Sequence, residues 1–156
     1  MRIGKLKIGI IVLVAVLTGC TGGEMFQDAI EDIPPIAANK SRIFIYRNTN
    51  PLLAFSPRLF ILDGKPIADV YYGTSLYYDT TPGTHRISFN NPPQVLRITI
   101  PAGRAIYLEY YVTDGDNADN STGIRMVPRE KAERQMVNSI LVDAKVRKFA
   151  GRPEQK

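Results

Sequence analysis

The 156-residue chain has one cysteine and one histidine. A lone Cys20 closes no intramolecular disulfide, so the fold must rest on its hydrophobic core instead of the cross-links common in secreted proteins. Nor does it leave the set of thiolates that holds structural zinc. A lone His85 builds no cluster of imidazoles. It opens a strand-like run without a second base beside it, and reads as a strand residue hydrogen-bonded near a turn. No block of five or six Lys or Arg occurs, so no basic interaction tail is present. The P-loop, the GxGxxG turn and the GxSxG elbow are missing. Asp63, Asp69 and Asp79 fall at turns or strand ends, and nothing pairs two of them as acid and base. The chain is therefore read as non-catalytic, without cofactor or metal.

What is present begins at the N-terminus. Arg2, Lys5 and Lys7 precede an apolar stretch from Ile8 to Leu17, broken only by Gly9, which Leu17-Thr18-Gly19-Cys20 closes. Basic region, short apolar core and small residues follow the order of a secretory signal peptide. The core is about half of the roughly 20 residues that a helix needs to cross a bilayer. A Leu, two small residues and a Cys resemble the lipobox of bacterial lipoprotein signals. The resemblance implies cleavage between Gly19 and Cys20, a diacylglyceryl thioether on the Cys20 sulfur, and acylation of the new amine by a fatty acid such as palmitate. It implies a protein held in the cell envelope by lipid alone. Thr21 stands where an Asp would retain such a protein in the inner membrane, which points to the outer membrane, facing the periplasm. Two or three acyl chains anchor stably where one binds marginally.

Removal of residues 1–19 leaves 137 residues, enough for one domain with one core. It also takes away three of the twenty Lys and Arg, so seventeen face fifteen Asp and Glu, a formal +2. That balance is no footprint for nucleic acid. Residues 20–41 carry Gly22-Gly23, Pro34-Pro35 and scattered acids without a sustained period. They read as a lipidated N-terminus and flexible tether, able to reach roughly 70 Å when extended. A short helix around Met25 to Ile30 is the alternative.

Residues 42–127 read as strands. "RIFIYR" (42–47) is β-branched and aromatic. "RLFILDGKPIADVYY" (58–72) is two strands around Asp63-Gly64, a hairpin signal because both residues tolerate positive φ. "SLYYDTTPGTHRISF" (75–89) reads as a second pair joined through Pro82-Gly83. "VLRITI" (95–100) alternates and ends at Pro101-Ala102-Gly103. "RAIYLEYYVT" (104–113) sets Ala105, Tyr107, Glu109 and Tyr111 on one face and Ile106, Leu108, Tyr110 and Val112 on the other, taken as the core face. "IRMV" (124–127) is a last short strand. From Pro128 to Lys148 the period changes: Ala132, Met136, Val137, Ile140, Leu141 and Ala144 recur at helical spacing. One apolar stripe implies a helix packed on the sheet, with partner binding as the alternative. Residues 149–156 are a polar tail. The fold expected is mainly β: an antiparallel β-sandwich of about seven strands with one C-terminal amphipathic α-helix packed on it.

The blocks "RIFIYR", "LFILDGKPIADV", "GTSLYYDTTPGTHRISF" and "AGRAIYLEYYV" resemble small bacterial envelope lipoproteins of unknown function that share a PEGA-like β-sandwich domain. The resemblance covers residues 41–127 and departs mildly at Thr81, where the turn has a Pro in the family. It implies a fold and an address. It carries no assigned activity and hence no catalytic residues.

Two further groups are candidates for binding. Asp114, Asp116, Asn117, Asp119 and Asn120 are possible oxygen ligands, but the calcium-loop pattern fails, with Asp119 at the glycine position and Arg125 at the final glutamate. They read as a solvated loop. Adjacent tyrosines on a strand point to opposite faces, so one of each pair is core. The others, Tyr71, Tyr77, Tyr107 and Tyr111, are read first as strand packing, with a surface for a glycan or protein as the alternative. The expected role is a non-catalytic binding or structural one in the envelope, with a protein or peptidoglycan partner and the membrane held through Cys20. A component of a secretion or transport assembly is one alternative. A ligand-binding, calcium-binding or hydrolytic domain using His85 and the acidic loop is the other.

Overall fold

The computed structural model describes residues 23–47, 57–90, 94–113 and 121–144. The cleavage site Gly19-Cys20, the acidic stretch Asp114–Asn120 and residues 145–156 lie outside these. The fold is mainly β, with nine described strands: β1 Ser41–Arg47, β2 Arg58–Leu62, β3 Lys65–Val70, β4 Thr74–Thr80, β5 Gly83–Phe89, β6 Gln94–Ile100, β7 Ala105–Thr113, β8 Ser121–Met126 and β9 Ile140–Asp143. They form a five-stranded sheet in the order β8-β7-β1-β4-β9 and a four-stranded sheet in the order β3-β2-β5-β6. The larger sheet is mixed, because β1 runs parallel to β7, and β4 parallel to β9.

The Asp63-Gly64 hairpin forms as its residues dictate. Both positions take positive φ, 51° and 80°, the left-handed pair that matches a two-residue turn to the twist of its strands. The pairing expected across Pro82-Gly83 does not form. β4 belongs to the five-stranded sheet and β5 to the four-stranded one, so this turn carries the chain from one sheet to the other. Pro101–Gly103 does the same between β6 and β7. A Pro followed by a permissive Gly reverses the chain in either case; which strand it then pairs with is decided by the core.

Both sheets contribute to one core, with Ile43, Ile45, Phe60, Val70, Ile87 and Leu108 at its centre. The face of β7 taken as core joins it: Leu108 and Tyr110 are buried there, with Ile106 and Val112 packed against them. The opposite face of the five-stranded sheet is not solvated either. It carries a second core of Phe26, Phe44, Tyr46, Tyr107, Val127, Ala132 and Met136. Every residue of β1 is consequently buried, as a strand covered on both sides requires.

Two segments build that second layer; the first follows the alternative of a short helix around Met25 to Ile30 instead of the tether, and the second differs from expectation. The stretch read as a tether is, from Gly23 on, part of the folded body. A short helix, α1 Phe26–Ala29, and a 3₁₀ turn over Ile30–Asp32 lie on the sheet, with Phe26 and Ala29 buried. Phe26, Ala29, Ile30 and Ile33 recur at one helical face, which Gly22-Gly23 and Pro34-Pro35 disguise by bracketing it so closely. The second segment is α2, Arg129–Met136, which starts after Pro128 and buries Ala132 and Met136. Its apolar stripe does not continue as helix to Lys148. The Ser139 hydroxyl donates to the Met136 carbonyl at 2.7 Å and accepts from the Ser75 hydroxyl at 2.8 Å, and Ile140–Asp143 leave as β9. The turn residues Asn138-Ser139 followed by a branched run are a strand signal, overshadowed by spacing that fits both periods.

Candidate functional site

The outer face of the five-stranded sheet gathers two of the four tyrosines singled out from sequence, Tyr77 and Tyr107. Strand register sets Phe44 between Tyr77 on β4 and Tyr107 on β7. Phe44 and Tyr107 stack with centroids 4.9 Å apart, Tyr77 lies 6.1 Å away, and Phe26 meets Phe44 edge-on at 6.3 Å. Tyr77 and Tyr107 are thus brought together, but beneath α1 and α2 instead of on a surface. Tyr107 is buried.

The tyrosine hydroxyls along this face are spoken for. Tyr107 donates to Glu133 Oε1 at 3.1 Å, and Tyr46 donates to Gln135 Oε1 at 2.7 Å. Burial, and then the Glu133 charge, push the Tyr107 hydroxyl up to about 12. Burial and Glu109 raise Tyr46 well above the ordinary phenol range. Both stay protonated and act as donors that fix α2 on the sheet.

Tyr71 and Tyr111 do not join the row. Tyr71 is exposed in the turn between β3 and β4, where its carbonyl accepts from Thr74 Oγ1 at 2.9 Å. Tyr111 lies across Gly123, its partner on β8: a Cβ at Gly123 would meet the Tyr111 ring at 2.5 Å. The Arg125 guanidinium covers the same ring at 4.8 Å. The four tyrosines therefore form no shared exposed platform. Tyr107 is core, Tyr77 is half-buried against it, Tyr111 is sandwiched between Gly123 and Arg125, and Tyr71 is exposed.

Two charged pairs frame the aromatic row. Arg42, opposite Asp79 across β1 and β4, makes a bidentate pair with it at 2.6 and 2.8 Å. The same guanidinium donates to the Pro34 carbonyl at 2.7 Å and lies 4.8 Å from the Tyr77 ring centre. It ties the N-terminal segment to the sheet. At the other end Glu109, with no solvent exposure, accepts from half-exposed Arg125 at 2.7 Å. Sequence reasoning missed both pairs. An Arg in the strand "RIFIYR" and a Glu in "AIYLEYY" were the available signals, since a charge inside an apolar strand needs a partner.

His85 sits in the other sheet and is buried. Nδ1 faces Asp63 Oδ2 at 2.7 Å and Nε2 faces the Thr81 carbonyl at 2.7 Å. Both nitrogens meet acceptors, so the imidazolium satisfies both contacts. Burial opposes that charge, but the bonds to Asp63 and Thr81 outweigh it and raise the His85 pKa. The Asp63 carboxylate is held low by the Arg86 N–H first and His85 second. The arrangement clamps the β2–β3 hairpin to β5 and to the crossover, and leaves neither nitrogen free to take a substrate proton. Among the described residues, no group of three or more His, Cys, Asp or Glu gathers to hold a metal.

A groove of about 470 Å³ adjoins the site, between the N-terminal segment at Ile36, the start of β7 at Arg104–Tyr107 and the Met126–Arg129 junction. It combines an apolar floor with two arginines. No protein-family model matches the chain, and no curated protein or solved structure matches it either.

Proposed function

We propose that this protein is a lipid-anchored component of the bacterial cell envelope with a binding or structural, non-catalytic role. The carrying observation is the N-terminal sequence, in which a basic region and a ten-residue apolar core end at Leu17-Thr18-Gly19-Cys20. The position of the folded body supports it: all described elements lie beyond Cys20, from Phe26 onward, so cleavage before Cys20 leaves them whole. The two sheets, sharing one core, act as a β-sandwich of the PEGA-like kind. The expected location is the outer membrane, facing the periplasm. The commitment of His85, Tyr46 and Tyr107 to internal bonds favours a scaffold over chemistry. The groove beside Arg104 and Arg129 suits a segment of an envelope protein or the cell wall.

Intact mass and membrane fractionation of the protein from its host, beside Cys20→Ser, test the proposal. Cleavage at Cys20, a lipid mass increment and recovery in the outer-membrane fraction are expected. A soluble, unmodified wild type would sink it.

A further inference from the structure

The chain joins the folded body at a corner that is unusually apolar. Six large hydrophobic residues are exposed among the described residues: Met25, Tyr71, Val95, Met126, Val137 and Ile140. Four of them lie on the segments that join at this corner. Met25 bridges to Ile140. Ile140 donates its N–H to the Gly73 carbonyl, two residues after Tyr71. Val137 is the residue that ends α2, in the short turn before β9. Gly23 lies so close that an added Cβ would meet Ile140 Cγ2 at 2.7 Å and the Leu141 carbonyl oxygen at 2.6 Å. The N-terminal segment is fastened there, with Leu141 donating to the Glu24 carbonyl and Phe26 to the Ser139 carbonyl, each at 2.8 Å.

We propose that this corner, formed by Met25, Tyr71, Val137 and Ile140, sits in the interfacial layer of a lipid bilayer. The inference rests on the lipid-anchored reading of Cys20. Four residue steps separate Cys20 from Glu24, the first residue whose backbone is bonded to β9. Fully extended, four steps span about 14 Å. The interfacial layer on each side of a bilayer is itself about 6 Å deep. A spacer of that length keeps the corner within about 14 Å of the lipidated sulfur, so the headgroups are always in reach and the exposed apolar side chains favour the contact. Aliphatic side chains and a tyrosine favour that boundary. Glu24 and Asp28 flank the corner in sequence, so the contact is apolar and does not depend on anionic lipid. The five-stranded sheet then meets the membrane by its β9 edge. The β8 edge lies at the opposite end of that sheet, with β6 packed beside it.

The chain contains no tryptophan, so a single introduced one reports alone. Full-length lipidated protein carrying Val137→Trp, Ile140→Trp or, as control on β6, Val95→Trp would be reconstituted into phosphatidylcholine vesicles with lipids brominated on their acyl chains. Intact mass and flotation establish lipidation, and circular dichroism establishes folding; two corner positions guard against one variant misfolding. Bromine quenching at least threefold stronger at residues 137 and 140 than at 95, unchanged by salt, is expected. Lipidated, floated protein with equal weak quenching at all three positions overturns the inference while the lipid anchor stands. Quenching that requires phosphatidylglycerol also overturns it. Absence of lipid on wild type overturns the anchor and the inference together.

Discussion

Removing the carboxylate of Asp79 should cost far more than its modest appearance suggests. The Arg42 side chain is 5% exposed and Asp79 25%. Two of the three hydrogen bonds made by the guanidinium go to Asp79, and the third goes to a neutral carbonyl. In Asp79→Ala the cation stays under the N-terminal segment without its anion, the situation in which one half of a buried pair is lost, for about 3–5 kcal/mol. For a chain of this size that is roughly a 10–20 °C fall in melting temperature. An exposed pair of similar length provides the internal control. Arg129 and Glu133 are 2.8 Å apart, one turn apart on α2, with Arg129 72% exposed; Arg129→Ala should cost under about 0.5 kcal/mol. The double replacement Arg42→Met with Asp79→Leu removes both charges together and should return to within about 2 kcal/mol of the parent. Equilibrium urea unfolding followed by circular dichroism reads all four proteins. An Asp79→Ala loss no larger than that of Arg129→Ala would refute the reasoning, and so would a double variant as unstable as the single one.

Three other perturbations test separate parts of the fold. Phe26→Ala should cost about 3 kcal/mol, a large-to-small loss, and should speed hydrogen exchange at the Phe26 and Leu141 amides ahead of Ile43; uniform exchange rates would argue against a separately docked segment. The His85 pKa is raised, so its stabilisation is fully present below the unfolded value near 6.5 and fades as pH rises through the folded one. Asp63, with a lowered pKa, adds stability present above about 3.9 and lost as pH falls through its folded value. His85→Gln should flatten stability against pH on the alkaline side of 6.5, checked by unfolding at pH 6 to 9 and by following the single histidine by NMR. Gly123→Ala should displace the Tyr111 ring from beneath Arg125, seen as new mobility of its NMR signals; an unmoved ring would contradict the close packing there.

Much of the β architecture was legible because it is written locally. Alternation on "RAIYLEYYVT" separated the two faces of β7 correctly, and Asp63-Gly64 named its own turn. The second core was written too, in "RIFIYR": Phe44 and Tyr46 face one way and Ile43 and Ile45 the other, so the strand has no wet side. The topology was not legible in the same way. Pro82-Gly83 supplies a reversal, and a reversal is compatible with a hairpin or with a crossing to the other sheet. Met136 through Leu141 satisfied helical spacing while belonging to a turn and a strand, because six residues cannot distinguish the periods when tertiary pairing with β4 is unseen. Whether the tyrosines pack or face outward was open for a related reason. Exposure of Tyr77 and Tyr107 depended on Phe26 and α2, and residues that far away in sequence leave no mark on the strand that they cover.

The bonds from Phe26 to Ser139 and from Leu141 to Glu24 join nearly the two extremes of the described chain. A polypeptide delivered N-terminus first presents Phe26 long before its acceptor has been synthesised or translocated. Until then α1 has nowhere to dock, and the row of Tyr77, Phe44 and Tyr107 stays uncovered on one side. Contacts this distant in sequence close last and slowly, and the uncovered aromatics are sticky while they wait. This face of the sheet is therefore completed only when β9, the last described strand, arrives.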